Sequence, residues 1–448
     1  MRKDIRFNNI TKENVMIVFT TSPAGLGHIR VMEALRGELP SNVRSEILGV
    51  NDPKVQMMHR ITSQKVFLRK IMEFLQTNCY TESIITKLYV YYLRKYPQEV
   101  YLRLLKMIRR RNPNPKVVVI VATHVSLAHQ IAQIKQRLSL KAKTKIVLSV
   151  VVTDDTPLII WAVKGADLIF VPSQKTCEYF SGYIKKFDSD KRPDLIVNAY
   201  PFSSKFCTRL SENGLRLRIE QLSSKSKPLN IMIPVSGAAV NLDYYKDIIS
   251  YVTKKQRGIV TVVSRESGYT KDFLSFCEAN YGVNLIADHL DRDVVLSYEN
   301  AMCSKVFSLE ITKPSEQSFK VLLGPNQVGG VIMLFSEPVG RQEYDNLSFM
   351  RRHGLIPSQE EQCVLDSLLE SKEYGKVLNL FGEKAKSWRG IMLPRKGGLA
   401  ARFILRYKHS GLFKQMSLYK KNSNLAELSD DGVNNFWKII EGKLKNLV

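Results

Sequence analysis

Short apolar runs alternate with helical stretches along this chain, and the alternation occurs twice in succession. No other feature restricts its fold as much. The first series has runs at 14–20, 43–50, 116–122, 145–153 and 167–172, with helical patterns at 27–39, 126–138 and 175–185. The run Asn14-Val15-Met16-Ile17-Val18-Phe19-Thr20 lacks the in-and-out alternation of a half-exposed strand, as expected of a strand buried on both faces of a parallel sheet. The second series has runs at 229–234, 258–264, 306–309 and 330–335, with helices starting near 242 and covering 270–280. Between the two series lies Ser223-Ser224-Lys225-Ser226-Lys227-Pro228, a polar stretch without periodicity that reads as a linker. Strands separated by helices of ordinary length predict two parallel, doubly wound sheets.

The expected organisation is an N-terminal domain at 1–222, a C-terminal domain at 229–380 and a helical tail at 381–448. The first domain carries a helical insertion at about 52–112, rich in Leu, Ile, Tyr and Phe. Asn112-Pro113-Asn114-Pro115 ends it, since proline cannot continue the helical ladder. The tail is helical and basic, and its last helices are candidates to cross back to the first domain. A chain of 448 residues with 44% hydrophobic and 24% charged content has enough apolar material for a core in each domain. No apolar run approaches the ~20 residues of a spanning helix. The start Met1-Arg2-Lys3-Asp4 is followed by no secretory core, so a cytoplasmic location is expected. The six cysteines, at 79, 177, 207, 277, 303 and 363, form no CxxC pair, which argues against a disulfide framework or a structural zinc site.

The formal net charge is +25. Residues 54–111 carry thirteen Lys/Arg against three Glu, and residues 384–422 carry eleven Lys/Arg with no acidic residue. Such a field favours polyanions: an anionic lipid surface or nucleic acid. Phe67, Phe74, Tyr80, Tyr89, Tyr91, Tyr92, Tyr96 and Tyr101 interleave with the first basic cluster, a mixture that suits a membrane interface. Ordinary core helices with basic outer faces read the same way. No nucleic-acid-binding module is recognisable, so nucleic acid is not an expected partner.

Three groups of residues could carry chemistry. In Ser22-Pro23-Ala24-Gly25-Leu26-Gly27-His28, glycines follow a strand and open a helix. The backbone can approach a ligand closely there, and free N–H groups favour an oxygen-rich or anionic one. His28 could take a proton from an acceptor hydroxyl; a tight strand-to-helix connection with a solvent-facing histidine is the alternative. Thr123-His124 and Asp154-Asp155 follow the strands at 116–122 and 145–153, where open α/β sheets bind ligands, although an Asp pair can also simply cap the next segment. His28, His124 and the Asp pair lack local ligand spacing, so no metal is expected. In the second half, Lys313 could neutralise a phosphate, and Gln342, Glu343 and Asn346 could hydrogen-bond sugar hydroxyls. They also read as a polar loop entering a helix.

Taken together, several stretches resemble the GT-B glycosyltransferases, in the group of monogalactosyldiacylglycerol synthase, processive diacylglycerol glucosyltransferases and the peptidoglycan N-acetylglucosaminyltransferase. They are Gly25-Leu26-Gly27-His28 with Ala34-Leu35, Val121-Ala122-Thr123-His124, Val152-Thr153-Asp154 continuing to Trp161, and 164–173. In the second half they are Ile311-Thr312-Lys313-Pro314 and 340–346. They fall in order over residues 14–355.

The resemblance implies an α/β protein of GT-B type, two Rossmann-like doubly wound domains with a cleft between them. It implies a hexosyltransferase that needs no metal or other cofactor at the donor. A nucleotide sugar, UDP-linked by preference, would be the donor. A lipid hydroxyl such as that of diacylglycerol would be the acceptor, at the cytoplasmic face of a membrane. By that resemblance His28 and Asp154 are the catalytic candidates. Gly25, Gly27, His124, Asp155 and Trp161 line the acceptor side. Ser236, Gly237, Ala238, Thr312, Lys313, Pro314, Glu316, Gln342, Glu343 and Asn346 line the donor side. The chain departs from the family at Ser315-Glu316, where two glycines are usual, and at Val321, where a ribose-binding Glu is usual. Two further readings follow: a non-catalytic GT-B descendant that binds membrane or another polyanion, and a UDP-sugar epimerase on the same fold.

Overall fold

A computed structural model describes residues 7–22, 25–49, 79–223, 227–256, 258–419 and 425–447. The chain divides into two compact units, Met1–Ser204 with Leu425–Val448, and Lys205–Asn424. Each is a Rossmann-like, doubly wound α/β domain, the fold class that the sequence implies. Of the expected insertion at 52–112, residues 52–78, with Phe67 and Phe74, lie outside the described residues; the remainder includes the helices Cys79–Lys95 and Gln98–Arg109.

Six strands build the sheet of the first unit: β1 (Val15–Thr20), β2 (Ser45–Leu48), β3 (Val117–Ala122), β4 (Lys145–Val151), β5 (Leu168–Val171) and β6 (Asp194–Val197). Their order is β2-β1-β3-β4-β5-β6, and every pairing is parallel. β3 is Val-Val-Val-Ile-Val-Ala with every residue buried. Its β-branched side chains are stiff at χ1 and fit a pleated surface covered on both sides. Helix Val125–Ala142 covers one part of this sheet, with Ala128, Ile131, Ile134 and Leu138 turned inward at helical spacing.

The last helix, Gly432–Leu444, belongs to this unit. Trp437 Nε1 donates to Leu35 O at 2.9 Å, and Phe436 packs on Phe170 with ring centroids 4.6 Å apart. Glu441 accepts from the backbone N–H groups of Asn9 and Ile10 at 3.0 and 2.9 Å. A Cβ at Gly432 would lie 2.2 Å from Ala199 O, so only glycine permits this approach.

The second unit has β7 (Asn230–Pro234), β8 (Ile259–Arg265), β9 (Val283–Asp288), β10 (Leu309–Thr312), β11 (Ile332–Phe335) and β12 (Gly390–Met392). The order β12-β11-β10-β7-β8-β9 is again all parallel. Counted from β7, it is the 3-2-1-4-5-6 order of dinucleotide-binding folds.

The expected boundary at 222–229 differs from this division, because helix Glu212–Ser223 belongs with the second unit. Its Arg218, fully buried, donates to Phe307 O, Pro325 O, Gln327 O and Val328 O at 2.6–2.8 Å. The expected tail is also shared: Gly397–His409 and Leu412–Met416 pack into the core of the second unit, and the chain then returns to the first.

Arg389 repeats the device from the other side, donating to Leu323 O, Gly330 O, Val331 O and Met416 O. Burial pulls both guanidinium groups below their usual pKa range, and the carbonyl cages offset that loss of hydration. The loop 323–331 is thereby clamped before it enters β11.

Candidate functional site

Parallel sheets bind ligands at the carboxyl ends of their strands, where the strand order reverses. In the first unit the chain leaves β1 to form β2 on one side and β3 on the other, so the reversal lies between β1 and β3. β1 runs into Thr20-Thr21-Ser22, and β3 into Thr123-His124. The next strand outward, β4, leads to Thr153-Asp154-Asp155. Gly25 adopts φ 103°, in the region that disfavours side chains, and turns the chain into helix Leu26–Gly37. His28 therefore stands in the first turn of that helix, half-buried at the reversal point.

Its surroundings are hydroxyls and rings. Thr123 Oγ1 donates to His28 O at 2.9 Å, and Thr153 Oγ1 lies 3.5 Å from His28 Nδ1. Thr153 Oγ1 also donates to Asp154 Oδ2 at 3.3 Å. The His28 ring meets His124 edge-to-face at 5.2 Å between centroids and lies 6.1 Å from the buried Trp161. The hydroxyls of Thr20, Thr21 and Ser22 are buried and have no hydrogen-bond partner among the described residues. Sequence reasoning missed this row. Its signal was present as three consecutive hydroxyl residues at the end of an apolar strand.

Asp155 lies apart from this group. Its Oδ1 accepts from Thr176 Oγ1 at 2.8 Å and from Ser173 Oγ, and Ser173 caps helix Gln174–Ile184 by accepting from Thr176 N. Asp155 thus secures a helix start, whereas Asp154 faces Thr153. The chain bends at these two residues after β4, and their partners differ: Asp154 meets Thr153, beside His28, whereas Asp155 meets Ser173 and Thr176.

In the second unit the reversal lies between β7 and β10. After β7 comes Val235-Ser236-Gly237-Ala238, and after β10 comes Lys313-Pro314. Ser236 Oγ is buried with no partner among the described residues. Ala239 (φ 48°) and Asn241 (φ 63°) take left-handed backbone, which for alanine costs on the order of 1–2 kcal/mol. Helix Arg341–Arg352 places Glu343 and Asn346 on one face, one turn apart. Glu343 forms an ion pair with Lys313 through Oε1 and accepts from Val339 N through Oε2 at 2.7 Å. Asn346 Nδ2 donates to Pro314 O at 3.1 Å. Gln342, on the neighbouring face, is exposed. Glu316 opens a 3₁₀ turn at Glu316–Leu322 and is half-buried; Thr312, at the end of β10, is buried, and Val321 within the turn is fully buried.

The structure thus brings His28, His124, Asp154 and Trp161 together in the first unit. In the second it brings Ser236, Lys313, Pro314, Glu343 and Asn346 to the corresponding place. Among the described residues no group of three or more His, Cys, Asp or Glu side chains could hold a metal ion. Among them, no helix is long and apolar enough to cross a membrane.

No family model matches the sequence, and no curated protein matches it. Among solved structures, the chain is similar to a co-structure of S. aureus MnaA with UDP, at 11% identity over 97% of each chain and a TM-score of 0.43. It is similar to Acinetobacter baumannii MurG at 9% identity over 95% of this chain and 99% of that one, with a TM-score of 0.40. A UDP-glucosyltransferase from Polygonum tinctorium, in complex with 3,4-dichloroaniline, is 12% identical over 95% and 98%, with a TM-score of 0.39.

Proposed function

We propose that this chain is a GT-B glycosyltransferase that moves a hexose from a nucleotide sugar, UDP-linked by preference, to a lipid hydroxyl of the diacylglycerol class. The observation that carries the reading is His28 at the strand-order reversal, linked through Thr153 to Asp154. When Thr153 donates to Asp154, its oxygen is left to accept from His28 Nδ1–H, and Nε2 becomes the basic nitrogen. That nitrogen takes the proton of the acceptor hydroxyl as its oxygen attacks the anomeric carbon. The bond from that carbon to the diphosphate oxygen breaks, and the nucleoside diphosphate leaves with the electron pair. In the second unit Lys313 and the backbone N–H groups of the Ser236–Ala238 loop offset the charge that develops on the diphosphate. Glu343 and Asn346 hold Lys313 and Pro314 in place; Thr312 and Glu316 flank them.

The acceptor's class rests on helix Cys79–Lys95. Ile84, Leu88, Tyr91 and Tyr92 recur at helical spacing and are each more than half exposed, next to exposed Lys87 and Lys95. A helix face of that composition suits shallow insertion into an anionic interface, which supports the reading of a protein that works at the cytoplasmic surface of a membrane.

A second reading, a non-catalytic relative that only binds such surfaces, is favoured by Ser315, Glu316 and the fully buried Val321 in place of the family's glycines and ribose-binding carboxylate. Incubation of the purified chain with labelled UDP-glucose or UDP-galactose and diacylglycerol vesicles separates the two. Label in the lipid phase, lost in His28→Ala, supports transfer. Vesicle binding without label transfer, unchanged in His28→Ala, supports the second reading.

A further inference from the structure

The outer strands of the second sheet also lead to a pocket. It has a volume of about 580 Å³ and lies past the ends of β11 and β12, beside helices Arg341–Arg352 and Gln359–Glu370. Helix Arg341–Arg352 gives it a face of its own. Tyr344, Leu347 and Arg351 line it at helical spacing, whereas Glu343 and Asn346 meet Lys313 and Pro314. Leu347, Leu369 and Leu399 make part of the lining apolar, and Glu337 pairs with Arg395 at 2.9 Å past the strand ends.

Three acidic and three basic side chains line this pocket, in a chain whose net charge is +25. So balanced a lining suits neither a polyanion nor a simple cation. Four of the six, Arg351, Asp366, Glu370 and Lys396, form no ion pair among the described residues. Their charged atoms can be reached. Asp366 Oδ1 accepts from Gln362 Nε2 at 3.2 Å, while Oδ2 is unbonded and keeps accessible surface. Glu370, one turn further along the helix, is exposed. Arg351 is half-buried; its Nε is enclosed, which leaves the outer Nη nitrogens for a ligand. Burial first, and then the Glu370 charge, push the Asp366 carboxyl above its usual range, a cost that a cation held between the two would lower.

The two signs are separated along the pocket. Arg351 lies near the first turn of helix Gln359–Glu370, where the Glu360 charge favours its protonated form. Asp366 is six residues beyond Glu360 on that helix, about 9 Å along its axis, and Glu370 about 6 Å further. We propose that this pocket is a second ligand site, which takes a short linear zwitterion. Its anionic end lies on the Arg351 Nη groups, its apolar middle along Leu347 and Leu369, and its ammonium end on Asp366 and Glu370. None of these residues belongs to the set proposed for transfer, so the site stands or falls apart from that reading.

Calorimetric titration of the full chain at neutral pH with ω-aminooctanoate tests it. Octanoate and octylamine each carry one of the two charges, and ω-aminopentanoate is too short to span them; these are the comparison ligands. Saturable binding of ω-aminooctanoate, at least about tenfold tighter than each of the three, is expected. Arg351→Gln and Asp366→Asn are each expected to weaken it about tenfold, by loss of a charge-assisted bond. Glu370→Gln changes an exposed side chain that supports nothing else in the fold, and is expected to weaken binding roughly two- to fivefold. No saturable binding, a comparison ligand that binds as tightly as ω-aminooctanoate, or binding unchanged in any of the three variants would overturn the proposal.

Discussion

At the strand-order reversal of the first unit, the groups gathered around His28 are hydroxyls and aromatic rings. At that of the second, a lysine and a glutamate are already paired, and an asparagine ties the loop beside them to a helix. The first arrangement sets an imidazole among groups that can relay or accept a proton. The second holds the Lys313 ammonium in place through the Glu343 carboxylate, which fixes its position before any ligand arrives. The contrast extends to the scaffold. The second unit stakes its loops with buried Arg218 and Arg389 and a buried Lys320–Glu310 pair that Tyr298 joins. In the first unit, buried hydroxyls occupy the reversal point instead. Under the proposed transfer, the reversal point of the first unit would carry the proton chemistry and that of the second the charge stabilisation.

The sharpest way to break this division is His28→Ala. Transfer is expected to fall by about 10²–10⁴, the usual worth of a general base, with the unfolding midpoint little changed because the side chain is half-buried. A parallel loss of stability and activity would make His28 structural instead. Next comes Arg218→Met, which leaves four carbonyl oxygens without their donor. A loss of about 3 kcal/mol or more is expected in chemical denaturation.

His129, 2% exposed, is a deeply buried titratable group of the first unit. Burial holds His129 down to about 4, against 6.5 when unfolded, with Arg94 nearby adding to the effect. Between those values the unfolded chain binds the extra proton. Stability therefore falls as pH drops from about 6.5 to about 4, by about 3 kcal/mol in all. His129→Gln is expected to flatten that acid limb, and an unchanged limb would assign it to other groups. The smallest effect concerns the strained loop after β7. Ala239→Gly is expected to relieve the left-handed backbone and change stability by about 1 kcal/mol or less, read as a small upward shift in Tm.

Burial separates most of the strands that sequence reasoning found from those it missed; the exception is β2, an edge strand expected at 43–50 that forms at Ser45–Leu48. β1, β3, β4, β5, β7, β8 and β11 read as continuous apolar runs because helices cover them on both faces. β6, β9 and β12 were missed, and all three are edge strands. β6 and β9 keep no fully buried residue, and β12 has three residues, so none offers an unbroken apolar run. β10 was expected at 306–309 and forms at 309–312, because buried Glu310 interrupts its apolar character.

The site divides in a similar way. Glu343 and Asn346 were legible from their spacing on one helix. The Lys313–Glu343 pair, thirty residues apart, was not, since only the fold brings β10 and helix Arg341–Arg352 together. Asp154 and Asp155 were indistinguishable in sequence; the bend after β4 gives one to Thr153 and the other to Ser173 and Thr176.

The central claim is that the second unit is a nucleotide-sugar site. Thermal unfolding of the full chain with UDP, ADP, GDP and dTDP titrated separately tests it most directly. A ligand that binds only the folded chain raises stability by about 2.7 kcal/mol at a hundred times its Kd. A rise in Tm with UDP alone, reduced in Lys313→Met, is the expected result. No shift with any of the four nucleotides would contradict the account.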